Sequence, residues 1–422
     1  MLNQEMMHEA TRLTRSGQLG QATALLQRML RGDSTPAAAP ARSAPTPPRL
    51  APPTIDGQAT RVGERDRQPA QAASKQSRAT QAGPAETKFA DAKHAYASAA
   101  ARKRPVRRED FSELPGFGLR GPLQRTPAMR DIAPEGTRFI EGSFSNGSGH
   151  RAYKLFIPSR AEGRQLPLVV MLHGCTQSPD DFAAGTRMNF SAEAQNCFVV
   201  YPEQPRGANQ SKCWNWFRSG DQQRDGGEPA LIAGITRQVM RQHAIDPKRV
   251  YVCGLSAGGA AAAIMAATYP DLYAAVGIHS GLACGAARDL PSAMLAMRQG
   301  GGSDIIGKGG SAIPTIVFHG DRDSTVHPAN GDQIVAQSTG ATRLTPSVVR
   351  GRVPGGHAYT QTSLADPGGR VTSEHWAIHG AGHAWSGGSP AGSYTDPKGP
   401  DATREMLRFF LAHSVGDLGV SS

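Results

Sequence analysis

A serine stands between flanking glycines in Gly254-Leu255-Ser256-Ala257-Gly258, after the apolar run RVYVCGL and before an alanine-rich stretch. A serine hydroxyl alone is a weak nucleophile. It serves acyl transfer when a base takes its proton and amide groups receive the charge that develops on the attacked carbonyl oxygen. A sharp strand-to-helix turn supplies part of this: it strains the serine backbone, requires glycines because side chains there would meet neighbouring backbone, and directs a helix N-terminus at the oxyanion. His383, in the glycine-rich segment Gly380-Ala381-Gly382-His383, is the expected base, because flexible backbone lets its ring reach over a sheet to the serine. Between the two in the chain, the run IPTIVFHG leads into Asp321-Arg322-Asp323. Either carboxylate is able to orient the imidazole. Asp323, deeper in the loop, is preferred, with Asp321 the alternative and a turn-capping role for whichever is not used. His375 and His379 fall inside a strand pattern and His357 precedes it, positions that suit structural histidines.

Two amides are expected to receive the oxyanion. One belongs to Ala257, the other to Cys175 in the loop Leu172-His173-Gly174-Cys175-Thr176 that ends the run LPLVVML. Residues 302–308 imitate a phosphate-binding loop through Gly302, Gly307 and Lys308, but Gly309 replaces the hydroxyl that would hold magnesium and no strand leads in. The histidines show no HExxH spacing, so neither a catalytic metal nor another cofactor is expected.

The elements that must position these residues begin near residue 137. RFIEGSFS and RAYKLFIP alternate like two antiparallel strands, and LPLVVML is a continuous apolar run suited to a strand covered on both faces. A helical stretch at 180–195, the strand CFVVYP, a helix from Pro229 to His243, the strand RVYVCGL and a helix from Ala257 to Thr268 follow. AAVGIHS, IPTIVFH and RVTSEHWAIH read as further strands, and ATREMLRFFLAH as a closing helix. Strands alternating with helices predict an α/β fold, a mostly parallel central sheet with helices on both faces and chemistry at the carboxyl ends of its strands.

The chain has 422 residues, a hydrophobic fraction of 38% and a formal charge of +11. Much of that charge falls in residues 1–135, where Lys and Arg outnumber Asp and Glu 21 to 13, so the remainder is nearly neutral. The expected organisation is a short helical hairpin at 1–33, a disordered Pro/Ala/Arg-rich linker at 34–134, a folded domain at 135–412 and a tail at 413–422. The linker's basic cluster, Arg102, Lys103, Arg104, Arg107 and Arg108, lacks the aromatic pattern of a nucleic-acid reader. A solvated segment is expected, with no nucleic-acid partner. No apolar run has the length of a signal peptide at the N-terminus or of a membrane span anywhere, so neither Sec export nor membrane crossing is expected. Cys197 and Cys253 lie in buried-strand patterns, whereas Cys175, Cys213 and Cys284 lie in loops, where two of them can pair in an exported protein.

Five segments carry a family resemblance: Leu172-His-Gly-Cys-Thr-Gln177, Cys213-Trp-Asn-Trp-Phe217, Gly254-Leu-Ser-Ala-Gly-Gly259, Gly320-Asp-Arg-Asp323 and Gly382-His-Ala-Trp385. Together they resemble the polyhydroxybutyrate depolymerase family of esterases, over roughly residues 137–412. The resemblance implies an α/β-hydrolase fold, a Ser256-Asp323-His383 triad, no cofactor, and hydrolysis of poly(3-hydroxybutyrate), short hydroxyalkanoate esters or related carboxylic esters. It also implies an extracellular location, against which the missing Sec signal sets a cytoplasmic one. Feruloyl and acetylxylan esterases are the alternative reading, and a non-catalytic binding module on the same fold is an alternative of another class. Trp214, Trp216 and Trp385 lie beside these motifs and are expected to wall an ester's acyl or polymer chain.

Overall fold

The computed structural model describes residues 127–301, 313–340 and 342–416. The expected hairpin at 1–33, nearly all of the linker including its basic cluster, the phosphate-loop mimic at 302–308 and the end of the C-terminal tail lie outside the described residues.

Period-2 patterns near the start form a hairpin of β1 (Arg138–Asn146) and β2 (Gly149–Ile157), paired antiparallel. Strands β3 (Leu166–Leu172), β4 (Phe198–Pro202), β6 (Ala275–His279) and β7 (Thr315–Gly320), with the Val250–Leu255 half of β5 (Ile245–Leu255), are buried on both faces, and β10 (Val371–His379) mixes buried with half-buried residues. With β8 (Thr345–Arg352) and β9 (Ala358–Ala365) they make one sheet in the order β1-β2-β4-β3-β5-β6-β7-β10-β9-β8. Every neighbouring pair from β4 to β10 along that order is parallel, and the pairs outside it are antiparallel.

Alternate residues of β3 enter two separate cores. Leu168, Val170 and Leu172 pack on one face, and Val169 and Met171 on the other. A strand sandwiched in this way must read as an unbroken apolar run, because it has no solvent face. Helix α5 (Ala257–Thr268) lies on the first face. Its small side chains let it approach β5 closely enough to make the turn between them tight. The C-terminal helix α8 (Ala402–Leu411) covers the second face through Met406, Phe409 and Phe410.

The structure departs from the sequence expectations in four places. The stretch at 180–195 is two helices, α2 (Pro179–Thr186) and α3 (Met188–Gln195), because Arg187 between them takes a left-handed conformation at φ 53°. The folded region starts earlier than residue 135: Ile132 and Ala133, at the end of the short helix α1 (Met129–Ile132), are buried, and Asn189 Nδ2 donates to Ile132 O. It also runs past residue 412, since His413 is buried and Val415 N donates to Lys248 O. Finally, helices α6 (Leu290–Gln299) and α7 (Ala329–Thr339) and the hairpin β8–β9 had no counterpart in the expected elements. Helix α4 (Gly227–Gln242), by contrast, starts only two residues before its expected Pro229.

Candidate active site

Ser256 occupies the turn between β5 and α5 with φ 58° and ψ −120°, a backbone conformation rare for an L residue. The flanking glycines have a steric reason: a Cβ on Gly254 would collide with Gly258 and Leu172 O, and one on Gly258 with Leu172 O and His173 O. A hydrogen bond from Ser256 N to His279 O (2.9 Å) ties the turn to β6. The buried His279 ring accepts from Ser386 N through Nε2 (3.0 Å). Burial, with the nearby His319 and His383, pushes His279 down to about 3, so it remains a neutral structural ring.

His383 and Asp323 come from the loops after β10 and β7, neighbouring parallel strands that end on the same edge of the sheet. Their side chains meet: His383 Nδ1 lies 2.7 Å from Asp323 Oδ2. Asp323 Oδ1 also accepts from Thr325 N (2.9 Å) and Val326 N (2.8 Å). Burial pushes this carboxyl's pKa up, but the His319 ring 3.5 Å away and the hydrogen bond from His383 outweigh burial and hold it well below the usual carboxylate range. An ionised carboxylate only accepts, so His383 carries its proton on Nδ1 and presents a basic Nε2. Asp321, the alternative, is exposed and binds elsewhere: Oδ2 contacts His379 Nδ1 (3.0 Å), and Oδ1 accepts from Gly380 N (2.7 Å).

Ser256, Ala257, Cys175 and His383 line one cleft, together with the apolar Leu282 and Met297. Among the described residues no hydrogen bond joins Ser256 Oγ to the His383 ring; such contacts close when a substrate fills the site. In the loop after β3, Gly174 N donates to Gln177 Oε1 (2.9 Å), Thr176 N to Ser211 O (2.6 Å) and Gln177 N to Gly174 O (3.3 Å). Of these four consecutive amides, Cys175 N–H is the one with no partner among the described residues. A Cys175–Cys213 disulfide fastens this loop to the one holding Trp214 and Trp216. That pairing is one of those left open among the three loop cysteines. Cys197 and Cys253 are buried free thiols, as their strand patterns suggested.

The three tryptophans separate, which corrects the expected aromatic wall. Trp216 lines the cleft. Trp214 is wholly buried beneath it and donates Nε1–H to His173 O (3.1 Å). Trp385 stacks on His279 in the second core and donates to Thr403 Oγ1 (3.0 Å). The polar end of each buried ring is spent inside the protein, so neither faces substrate. Tyr394 also lines the cleft; no motif pointed to it, because it arrives from a segment outside the recognised motifs.

A serine at a strand-to-helix turn of a parallel sheet, with an Asp–His pair delivered from the next strands, defines the α/β-hydrolase class. Known proteins agree. Residues 151–347 match the family described as Esterase PHB depolymerase. The chain is 36% identical over 228 residues to poly(3-hydroxyalkanoate) depolymerase C of Paucimonas lemoignei, covering 51% of this chain and 54% of that protein. It is 28% identical over 264 residues to poly(3-hydroxybutyrate) depolymerase of Ralstonia pickettii, covering 58% and 53%. A probable acetylxylan esterase A of Aspergillus clavatus is 33% identical over 119 residues, covering 28% and 38%. The chain thus spans about half the length of the depolymerases it matches. Among solved structures, the acetyl xylan esterase from Aspergillus awamori superposes with a TM-score of 0.51 at 18% identity, covering 65% of this chain and 99% of that one, a likeness of fold. Over residues 151–347 the chain is thus similar to the PHB depolymerase esterase family, on an α/β-hydrolase fold.

Proposed function

We propose that this protein hydrolyses carboxylic esters through an acyl-enzyme on Ser256, acting on poly(3-hydroxybutyrate) or short hydroxyalkanoate oligoesters. The observation that carries this reading is the buried Asp323–His383 pair, 2.7 Å apart, beside a strained serine in an apolar cleft. Ser256 Oγ attacks the ester carbonyl while His383 Nε2 takes its proton. Asp323 holds the ring and stabilises the imidazolium. The amides of Ala257 and Cys175, with the N-terminal end of α5 behind them, receive the oxyanion. Collapse of the tetrahedral intermediate returns the proton to the leaving alcohol, and water then repeats the sequence to release the acid.

The aliphatic part of the lining, Leu282, Met297 and Val326, suits a short branched acyl unit better than a carbohydrate. Acetylxylan esterases among the relatives support acetylated xylan as a second reading. The Cys175–Cys213 bridge favours an oxidising compartment, as an extracellular location would provide. Among the described residues no helix is long and apolar enough to cross a membrane.

Purified protein offered hydroxybutyrate oligomers, methyl ferulate and acetylated xylan should cleave the first fastest, and Ser256→Ala should abolish the turnover with its fold intact. A preference for acetylated xylan would move the substrate class. Binding of the oligomers without turnover would favour a non-catalytic module, and full activity in a folded Ser256→Ala would end the serine reading.

A further inference from the structure

Behind the cleft, one buried carboxylate ties together the two loops that form its walls. Glu228, in the first turn of α4, is 5% exposed. Its Oε1 accepts from Gln204 Nε2 (2.5 Å) and from Asn215 Nδ2 (2.6 Å), and its Oε2 from Asn215 N (2.7 Å). Asn215 is the residue between Trp214 and Trp216, so the carboxylate grips the backbone of the loop that carries the cleft's aromatic wall. Gln204 extends the grip in two directions: Nε2 also donates to Cys213 O (2.9 Å), and its backbone N–H donates to His173 Nε2 (3.0 Å). His173 precedes the Gly174-Cys175 segment, hydrogen-bonds to Gly174 O through Nδ1 (2.8 Å) and accepts from Trp214 at its own carbonyl. The ring closes through the Cys175–Cys213 disulfide. Burial pushes His173 down to about 4, so it is a neutral ring that donates at one nitrogen and accepts at the other.

We propose that Glu228 is a positioning residue for acyl transfer, holding Cys175 N–H at the oxyanion position and Trp216 at the cleft wall through Asn215, Gln204 and His173. The proposal rests on the serine-esterase reading above. Glu228, Gln204 and Asn215 do not line the cleft, so the carboxylate acts through other residues. Space-filling does not account for an acid here. A buried carboxylate costs several kcal/mol unless it is well paired, and the cation beside it, Arg151 Nη2, is 3.5 Å away with its own Nε lacking a partner. What the carboxylate uniquely provides is two acceptor oxygens for three inward-pointing N–H groups. A glutamine has one acceptor oxygen, and its NH2 would face donors, so at least one of the three would lose its partner. The loops would then settle in a different register against the sheet. A displacement of about 1 Å in a catalytic group costs roughly 10² in rate.

The test is Glu228→Gln in the full chain, with kcat and KM on a short p-nitrophenyl ester and inhibition by phenylboronic acid, which adds to a serine hydroxyl as a tetrahedral anion. Loss of oxyanion placement predicts that kcat falls about 10²-fold, the boronate Ki rises by a similar factor, and KM changes by less than about threefold. If Glu228→Gln does not fold, Asn215→Ala, which removes one of the three donors, decides the matter, with about a tenfold fall in kcat matched by the boronate Ki. A folded variant with wild-type kcat and Ki, or a kcat that falls only with the folded fraction while the Ki stays constant, would overturn the proposal. Wild-type protein that neither turns over esters nor binds the boronate would remove the serine reading and the proposal with it. A boronate-sensitive wild type beside an unaffected variant would overturn positioning alone.

Discussion

Two Asp–His pairs join the chain at the ends of β7 and β10. Asp321 meets His379 at 3.0 Å, and Asp323 meets His383 at 2.7 Å. The residue types match, and the aspartates are separated by a single arginine. Their surroundings differ. The side chain of Asp323 is fully buried and that of His383 only 12% exposed, whereas those of Asp321 and His379 are 41% and 44% exposed. In water an Asp–His contact is worth little; out of water, with two backbone amides fixing the carboxylate, it sets one tautomer and one orientation of the ring. Contact geometry alone does not make a catalytic dyad. The proposed dyad adds burial beside the cleft that holds Ser256, with Asp323 turned under the loop while Asp321 stays at its rim.

Breaking the buried pair should have the largest effect. Asp323→Asn is expected to lower kcat by about 10⁴, because an amide in that position can reverse the imidazole tautomer. Asp321→Asn should lose less than about threefold in the same assay at saturating ester, with both folds checked by circular dichroism. Greater damage in Asp321→Asn would transfer the orienting role to the exposed pair. The aromatic residues offer a parallel contrast. Trp216→Ala should raise KM about tenfold with little loss of stability relative to Trp385→Ala, which should destabilise by about 3–5 kcal/mol through a core cavity. Measurement of KM and urea midpoints for the two variants checks this, and a raised KM with an unchanged midpoint in Trp385→Ala would contradict it.

A smaller effect concerns pH. Burial, followed by the neighbouring Asp221, pushes Glu228 up to about 7 from 4.5. A carboxyl with a raised folded-state value ionises more readily when unfolded, so its penalty on the native state is absent below about pH 4.5 and complete above about pH 7. The Tm difference between wild type and Glu228→Gln should therefore shift toward the glutamine variant as pH rises across that window. Asp323 has the opposite sign: its lowered folded value contributes stability at neutral pH that is lost as the pH falls below about 4. A Tm gap between wild type and Glu228→Gln that is constant from pH 4.5 to 7 would contradict the assignment of Glu228.

Local patterns made the nucleophile turn and the parallel strands legible. The apolar runs before Ser256 and Asp321 have no polar face because the sheet is covered on both sides, and the glycines around Ser256 answer to backbone approaches within the turn. Features set by distant partners were not legible. Trp385 is two residues from His383, yet its ring turns into the core against His279, a contact across 106 residues of chain. Glu228 gains its meaning from Gln204 and Asn215, which lie 24 and 13 residues away in the long connection between β4 and α4. The β8–β9 hairpin escaped for another reason. Neither strand buries one face and exposes the other, since β8 is almost wholly exposed and β9 uniformly half-buried, so there is no alternation to read.

The acyl-transfer account is tested most directly by covalent trapping. The full chain, inactivated with a p-nitrophenyl alkylphosphonate and digested, should carry the phosphonyl group on Ser256 by peptide mass spectrometry, with stoichiometric p-nitrophenol release that Asp323→Asn slows and Asp321→Asn does not. Labelling at any other residue, or inactivation with Ser256 unmodified, would contradict it.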